Sequence, residues 1–100
     1  MENKFYMVVQ GYRKNQELSL RAFADSLNEK LINTDVSFAT VSRWENSEKQ
    51  YEPNINFLFE CFVTYTDWRM HFAMDSLKAI MPHVFDSGMV TFHLPQREVQ

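Results

Sequence analysis

Residues 18–53 read LSLRAFADSLNEKLINTDVSFATVSRWENSEKQYEP and contain two short amphipathic patterns, each preceded by a serine. Ser19 is a favoured N-cap, and the apolar residues after it recur at three- and four-residue spacing, which predicts a helix over 20–31. Ser37 is a second N-cap, and Val41 and Trp44 would be buried by a helix over 38–46. The polar residues at 33–35 predict a turn, so the two helices form a helix-turn-helix pattern.

Helical patterns continue on both sides of this stretch. Residues 3–15 predict a first helix, and apolar positions from Ile55 to Val63 predict a fourth. Pro53 suits the first turn of that helix or the residue before it. Thr66 or Asp67 would cap a fifth helix over 68–81, which Pro82 would end. Residues 89–94 are typical of a short strand or extended arm, and we expect disorder over 95–100.

Length and composition exclude several classes of protein. One hundred residues suit a single domain, and the single cysteine, Cys61, allows no internal disulfide. The sequence shows no signal peptide and no apolar run of the roughly 20 residues that a membrane helix needs. We therefore expect a cytoplasmic protein that does not contact a membrane. The net charge of −3 argues against nucleic-acid binding through bulk charge alone.

Residue types that carry catalysis or bind cofactors form no pattern in this chain. His71, His83 and His93 lack zinc-ligand spacing, and two glycines cannot form a phosphate-binding loop. No pair of acidic residues stands out as an acid–base couple. The sequence therefore predicts a protein that is not an enzyme and has no metal, cofactor or small-molecule ligand.

The two serine-capped helices, the Arg43-Trp44-Glu45 sequence and Pro53 together resemble the helix-turn-helix of the Cro and lambda-repressor superfamily, of the xenobiotic-response-element type. The resemblance covers about residues 5–65. It implies an all-α, five-helix lambda-repressor-like domain with a short C-terminal arm. Residues 1–66 would be the DNA-binding core, and 67–100 a C-terminal extension of the same domain. It also implies that Arg13 pairs with Glu45.

The chain departs from the family pattern at three places. The segment 28–35 between the two motif helices is longer than usual and lacks glycine, which we interpret as an extra turn on the second helix and a longer loop. The family's glycine after the recognition helix is replaced by Ser47, although Asn46 could adopt the left-handed cap. Leu20 stands where the family places a polar phosphate contact.

The resemblance places the DNA-contacting residues on the second motif helix and just after it. Arg43 is the best candidate for reading a base, since arginine can donate two hydrogen bonds to guanine. Phe38 and Ala39 could contact a thymine methyl group; alternatively, Phe38 packs back onto the second helix or a partner, and Arg43 is a solvated surface residue. The full predicted set is Ser37, Phe38, Ala39, Thr40, Ser42, Arg43, Asn46 and Lys49.

Residues 13–52 contain six basic and seven acidic residues, so one copy would contact few phosphates. Two copies on a palindrome would double the contacts, which predicts a homodimer. The two apolar sides of the fifth helix and the arm would form its interface, or would instead complete the monomer core. The interface residues predicted on the first alternative are Trp68, Phe72, Met74, Leu77, Val90 and Phe92.

The function expected from these features is sequence-specific binding of double-stranded DNA. A chain of this length would act as a dimeric transcriptional regulator, a repressor of phage or mobile-element type that occludes a promoter. The alternative is a protein-interaction module, in which a repurposed helix-turn-helix binds another regulator or host machinery. A basic surface beside Arg43 would favour DNA, whereas an apolar patch containing Phe38 would favour a protein partner.

Overall fold

The computed structural model describes residues 4–49 and 51–82, which form five α-helices and no strand. The helices are α1 Phe5–Asn15, α2 Leu20–Asn28, α3 Phe38–Trp44, α4 Ile55–Thr64 and α5 Trp68–Ile80. The prediction of an all-α fold with five helices is therefore confirmed. The predicted arm at 89–94, with Val90 and Phe92, lies outside the described residues, as do His83, His93 and the tail at 95–100. None of the described helices is both long and apolar enough to cross a membrane.

Local capping explains where four of the helices begin. The Ser19 side chain accepts a hydrogen bond from the Ala22 amide, and Ser37 accepts one from Thr40. Asn54 caps α4, so Pro53 precedes the cap instead of lying in the first helical turn. Asp67 caps α5. Each cap satisfies an amide that has no partner within its own helix.

The first helix ends in a Schellman motif that contains no glycine. The Leu18 amide donates to the Arg13 carbonyl, and the Glu17 amide donates to the Lys14 carbonyl. Glu17 occupies the left-handed position of this motif, with φ of 56°. A glutamate there carries the steric strain that glycine would avoid. The turn redirects the chain into α2 within four residues.

The prediction that α2 extends to residue 31 is wrong, because residues far along the chain end it at Asn28. The Tyr65 hydroxyl donates to the Leu27 carbonyl over 2.6 Å and accepts from the Lys30 amide over 2.9 Å. Arg69 Nη1 donates to the Ser26 carbonyl over 2.8 Å. These contacts use the carbonyls and the amide that a further turn would require. The observed α3 and α5 end at Trp44 and Ile80, slightly earlier than predicted.

The core lies between α5 and the other helices and is rich in aromatic rings. Phe72 contacts Tyr12 and Phe23 edge-on, at centroid distances of 5.8 and 5.5 Å. Trp68 stacks on Tyr12 and also contacts Phe23. Such edge-to-face pairs add to the stabilisation that burial provides. A dense monomer core thus takes up much of the aromatic content.

The predicted use of Phe72 and Leu77 as dimer contacts is wrong, because neither side chain has exposed surface. Both belong to the core, so no partner can contact them while this fold is intact. Trp68 and Met74 are partly buried and pack against the same core. The two apolar sides of α5 therefore follow from its central position in the monomer.

Candidate nucleic-acid interface

The exposed side of α3 carries most of the residues predicted to contact DNA. Ser37, Phe38, Ser42 and Arg43 are exposed, and Ala39 and Thr40 are half-buried. Val41 has no exposed surface, and Trp44 is 4% exposed. Val41 and Trp44 lie on the same short helix as the exposed residues. Their burial therefore determines the direction in which the exposed side of α3 points. Asn46 and Lys49 are exposed in the loop that follows.

Two aromatic rings hold the C-terminal end of α3. The Trp44 ring contacts Phe5 of α1 edge-on at 5.6 Å between centroids. The same ring contacts Phe57 of α4, also at 5.6 Å between centroids. A helix of seven residues has little stability of its own, so this packing determines its orientation. Arg43, the neighbour of Trp44 in sequence, is thereby carried on a firmly placed backbone.

Arg13 and Glu45 form the ion pair that the resemblance implied. Arg13 Nη2 donates to Glu45 Oε1 over 3.0 Å, and Arg13 Nε donates to Oε2 of the same carboxylate. Arg13 Nη1 also donates to the Leu18 carbonyl over 3.1 Å. The hydrogen bonds to Glu45 raise the pKa of Arg13 above its ordinary value. One guanidinium thus joins α1, the turn into α2 and the end of α3.

Phe38 packs against a cation instead of forming a bare apolar patch. The guanidinium carbon of Arg21, in α2, lies 4.4 Å from the centroid of the Phe38 ring. Phe38 remains 44% exposed, and Arg21 is exposed as well. A cation–π contact of this kind leaves positive charge at the surface beside the N-terminal end of α3. The interpretation that Phe38 packs back onto the second helix is therefore correct in part.

Asn46 starts a side-chain turn after α3. Its Oδ1 accepts hydrogen bonds from the Glu48 and Lys49 amides, over 2.8 and 3.0 Å. Asn46 does not adopt the left-handed conformation that its residue type allows. In the described part of the chain, Glu17 is the one non-glycine residue with positive φ. A turn closed by the asparagine side chain stands where the resemblance implies a glycine. It brings Lys49 close to the end of α3.

The long segment between α2 and α3 is held by two side chains that sequence reasoning missed. Asn28 both donates to the Val36 carbonyl and accepts from the Val36 amide, each over 2.7 Å. Glu60 of α4 accepts from the Ile32 amide over 3.1 Å and from the Thr34 hydroxyl over 3.2 Å. These hydrogen bonds lower the pKa of Glu60, and the bond from the Ile32 amide has the largest effect. No local pattern pairs Glu60 with a loop 28 residues earlier.

A second cluster joins the start of α5 to the end of α2. Arg69, 8% exposed, donates to the carboxylates of Asp67 and Glu29 and lies over the Tyr65 ring at 3.9 Å. The hydrogen bonds to Asp67, and then to Glu29, raise the pKa of Arg69, and the hydrogen bond from Arg69 lowers the pKa of Asp67. The cluster secures α2, on which α3 packs.

Basic residues are spread over the surface of residues 13–52, which contain six basic and seven acidic side chains. Five of the six basic residues in 13–52 are exposed; the sixth, Arg13, is committed to Glu45. Arg21 marks one end of α3, and Arg43 and Lys49 mark the other. The exposed acid Glu48 lies within the same turn as Lys49.

Comparison with models of known families, with characterised proteins and with solved structures found no match to this chain.

Proposed function

We propose that this chain binds double-stranded DNA in a sequence-specific manner, as a dimeric transcriptional regulator that represses by occluding a promoter. The observation that carries the proposal is the fixed placement of α3. Trp44 and the Arg13–Glu45 pair hold its end, while Arg43 and Ser42 face solvent. A helix held in this way and exposed on one side fits the major groove.

Each exposed side chain has a defined use at a DNA surface. Arg43 would donate two hydrogen bonds to O6 and N7 of a guanine, and Ser42 would donate to an adjacent base. Phe38 and Ala39 would contact thymine methyl groups. Arg21, held over the Phe38 ring, and Lys49, beyond the Asn46 turn, would contact phosphates at opposite ends of α3.

A protein-interaction module is the second candidate, and the charge distribution favours it. The chain is acidic overall, and Phe38 keeps 44% of its surface exposed. A partner with an aromatic-binding pocket and acidic groups could engage Phe38 and Arg21 together. The Arg21 guanidinium over the Phe38 ring favours DNA, because it places a positive charge beside the apolar contact.

The test is a binding titration with duplexes selected from a random library and with fragments of the gene's own upstream region, at two salt concentrations. Binding to DNA should be selective and weaken with salt. Arg43→Ala should abolish selectivity and leave the helical circular-dichroism spectrum unchanged. Arg43→Lys should keep the charge but lose the paired hydrogen bonds, so selectivity should still fall.

Lys14→Ala is the matched control, since Lys14 is an exposed cation of α1, outside the helix-turn-helix. It should weaken binding to all sequences equally or not at all. If the wild-type protein binds no selected duplex better than random DNA, the proposal is wrong. Capture experiments for a protein partner would then follow.

A further inference from the structure

The contact between Arg21 and Phe38 leaves a ring surface and a cation available to a ligand. The guanidinium carbon lies 4.4 Å from the centroid of the Phe38 ring, and 44% of the Phe38 side chain stays exposed. The ion pairs within the described residues belong to Arg13 and Arg69, so the Arg21 guanidinium has no carboxylate partner there. We refer to these two residues as the Arg21–Phe38 pair.

The pair joins the two helices of the helix-turn-helix. The Ser19 cap places Arg21 in the first turn of α2, and the Ser37 cap makes Phe38 the first residue of α3. The guanidinium lies over the ring, so the ring rests against α2 instead of turning freely in solvent. A side chain that is already held in one position loses less entropy when a ligand binds to it.

The residues at the start of α3 offer an apolar surface and little hydrogen bonding. The Ser37 and Thr40 hydroxyls are hydrogen-bonded to each other over 3.1 Å, and Ser37 Oγ also accepts from the Thr40 amide over 3.2 Å. Phe38 and Ala39, which lie between them, have no polar side-chain atom. In the major groove, the base feature that an apolar side chain recognises is the C5-methyl group of thymine.

We propose that the Arg21–Phe38 pair recognises the C5-methyl group of a pyrimidine, with the Phe38 ring against the methyl group and Arg21 on a neighbouring phosphate. The inference rests on the proposed function, because it requires α3 to lie in the major groove. Thymine and 5-methylcytosine carry this methyl group on the same ring carbon. Binding should therefore depend on cytosine methylation as well as on thymine.

The charge of the pair suits this ligand. The chain carries a net charge of −3, so an exposed ring without a cation would gain nothing from the electrostatic attraction of DNA. Phosphates line the edges of the groove whose floor presents the methyl groups, so a cation beside the ring reaches one while the ring meets a base edge. The pair thus combines a sequence-independent contact with a methyl-dependent one.

The methyl group and the guanine read by Arg43 should belong to different base pairs. Phe38 and Arg43 are five residues apart, which is about 7.5 Å along the axis of α3. Successive base pairs are about 3.4 Å apart. The position that depends on a methyl group should therefore lie about two base pairs from the position that requires guanine.

The test is a competition titration with the duplex that the wild-type protein selects from a random library. Each thymine of the half-site is replaced in turn by deoxyuridine, which keeps the hydrogen-bonding groups and lacks the methyl group. At one position binding should weaken about fourfold, the effect of exposing one methyl group. At that same position, 5-methylcytosine should bind about fourfold more tightly than cytosine.

Two variants assign the effect to the pair. Phe38→Ala should make thymine and deoxyuridine equivalent at that position and leave the helical circular-dichroism spectrum unchanged. Arg21→Ala should weaken binding to every duplex, lower the salt dependence by about one phosphate contact and reduce the methyl effect. Tyr51→Ala is the matched control, because Tyr51 is an aromatic residue, 39% exposed, in the loop before α4. It should leave the methyl effect unchanged.

The outcomes separate this inference from the proposed function. Selective binding with equal affinity for thymine and deoxyuridine at every position would overturn the inference alone, as would equal affinity for cytosine and 5-methylcytosine. A selected half-site without thymine would also contradict it. A methyl effect that persists in Phe38→Ala would assign the contact to another residue. A wild-type chain that selects no duplex over random DNA would overturn the inference and the proposed function together.

Discussion

Replacing Glu45 with alanine should lower the free energy of unfolding by about 2 kcal/mol, because Arg13 would lose both of its hydrogen bonds to the carboxylate. The Arg13 side chain is 20% exposed and that of Glu45 is 13% exposed. Breaking a fully buried ion pair costs about 3–5 kcal/mol, since a charge is left without a partner. Partial access to water and the remaining bond to the Leu18 carbonyl reduce that figure.

The assay is thermal and urea unfolding, followed by circular dichroism. A loss of about 2 kcal/mol should lower Tm by about 10 °C for a chain of this length. Glu48→Ala is the control, since Glu48 is an exposed acid in the adjacent loop and its removal changes net charge equally. It should leave Tm within a few degrees of the wild type.

A double substitution tests the physical reason. Arg13→Met with Glu45→Leu removes both charges together and leaves neither buried, so most of the lost stability should return. A Glu45→Ala variant with unchanged Tm would refute the argument, because it would show that the pair adds nothing. A double variant less stable than Glu45→Ala would show that packing, and not the unpaired charge, dominates.

Three further changes test other parts of the fold. Ser76→Ala should raise the free energy of unfolding by about 1 kcal/mol, because the buried Ser76 hydroxyl has no hydrogen-bond partner within the described residues. A lower Tm for this variant would show that the hydroxyl is bonded. Glu17→Gly should relieve the left-handed strain, which should raise the free energy of unfolding by up to about 1 kcal/mol and raise Tm accordingly, whereas Glu17→Ala should not. The pKa of Glu60 is lowered in the folded chain, so its contribution is present above its ordinary value of 4.5 and is lost as pH falls below it. Glu60→Gln should therefore reduce the acid-induced fall in Tm, and an unchanged pH profile would argue against the loop contacts.

Sequence reasoning succeeded where the deciding interactions are local. Ser19, Ser37 and Asp67 cap their helices through amides two or three residues away, and apolar periodicity located all five helices. Both signals involve residues close in the chain, so they can be read without knowing the fold.

It failed where distant residues compete for the same backbone groups. The sequence of residues 28–31 is compatible with another helical turn, but Tyr65 and Arg69 bond the groups that this turn would use. A second failure is local: Asn46 has the residue type of a left-handed cap, yet its side chain closes a turn with Glu48 and Lys49 instead. Neither outcome can be predicted from local propensity alone.

The sequence by itself determined that the described part of the chain, residues 4–49 and 51–82, forms five helices with a cap at the start of α3, because periodicity and capping act within a few residues. Only the tertiary structure decided which apolar surfaces are buried. The pattern of α5 could serve a core or a partner, and its contacts with Tyr12 and Phe23 assign Phe72 to the core. The pattern of α4 looks equally apolar, yet one side of it remains at the surface because no other described helix covers Val63. Burial depends on the neighbours that the whole chain supplies, which no local pattern contains.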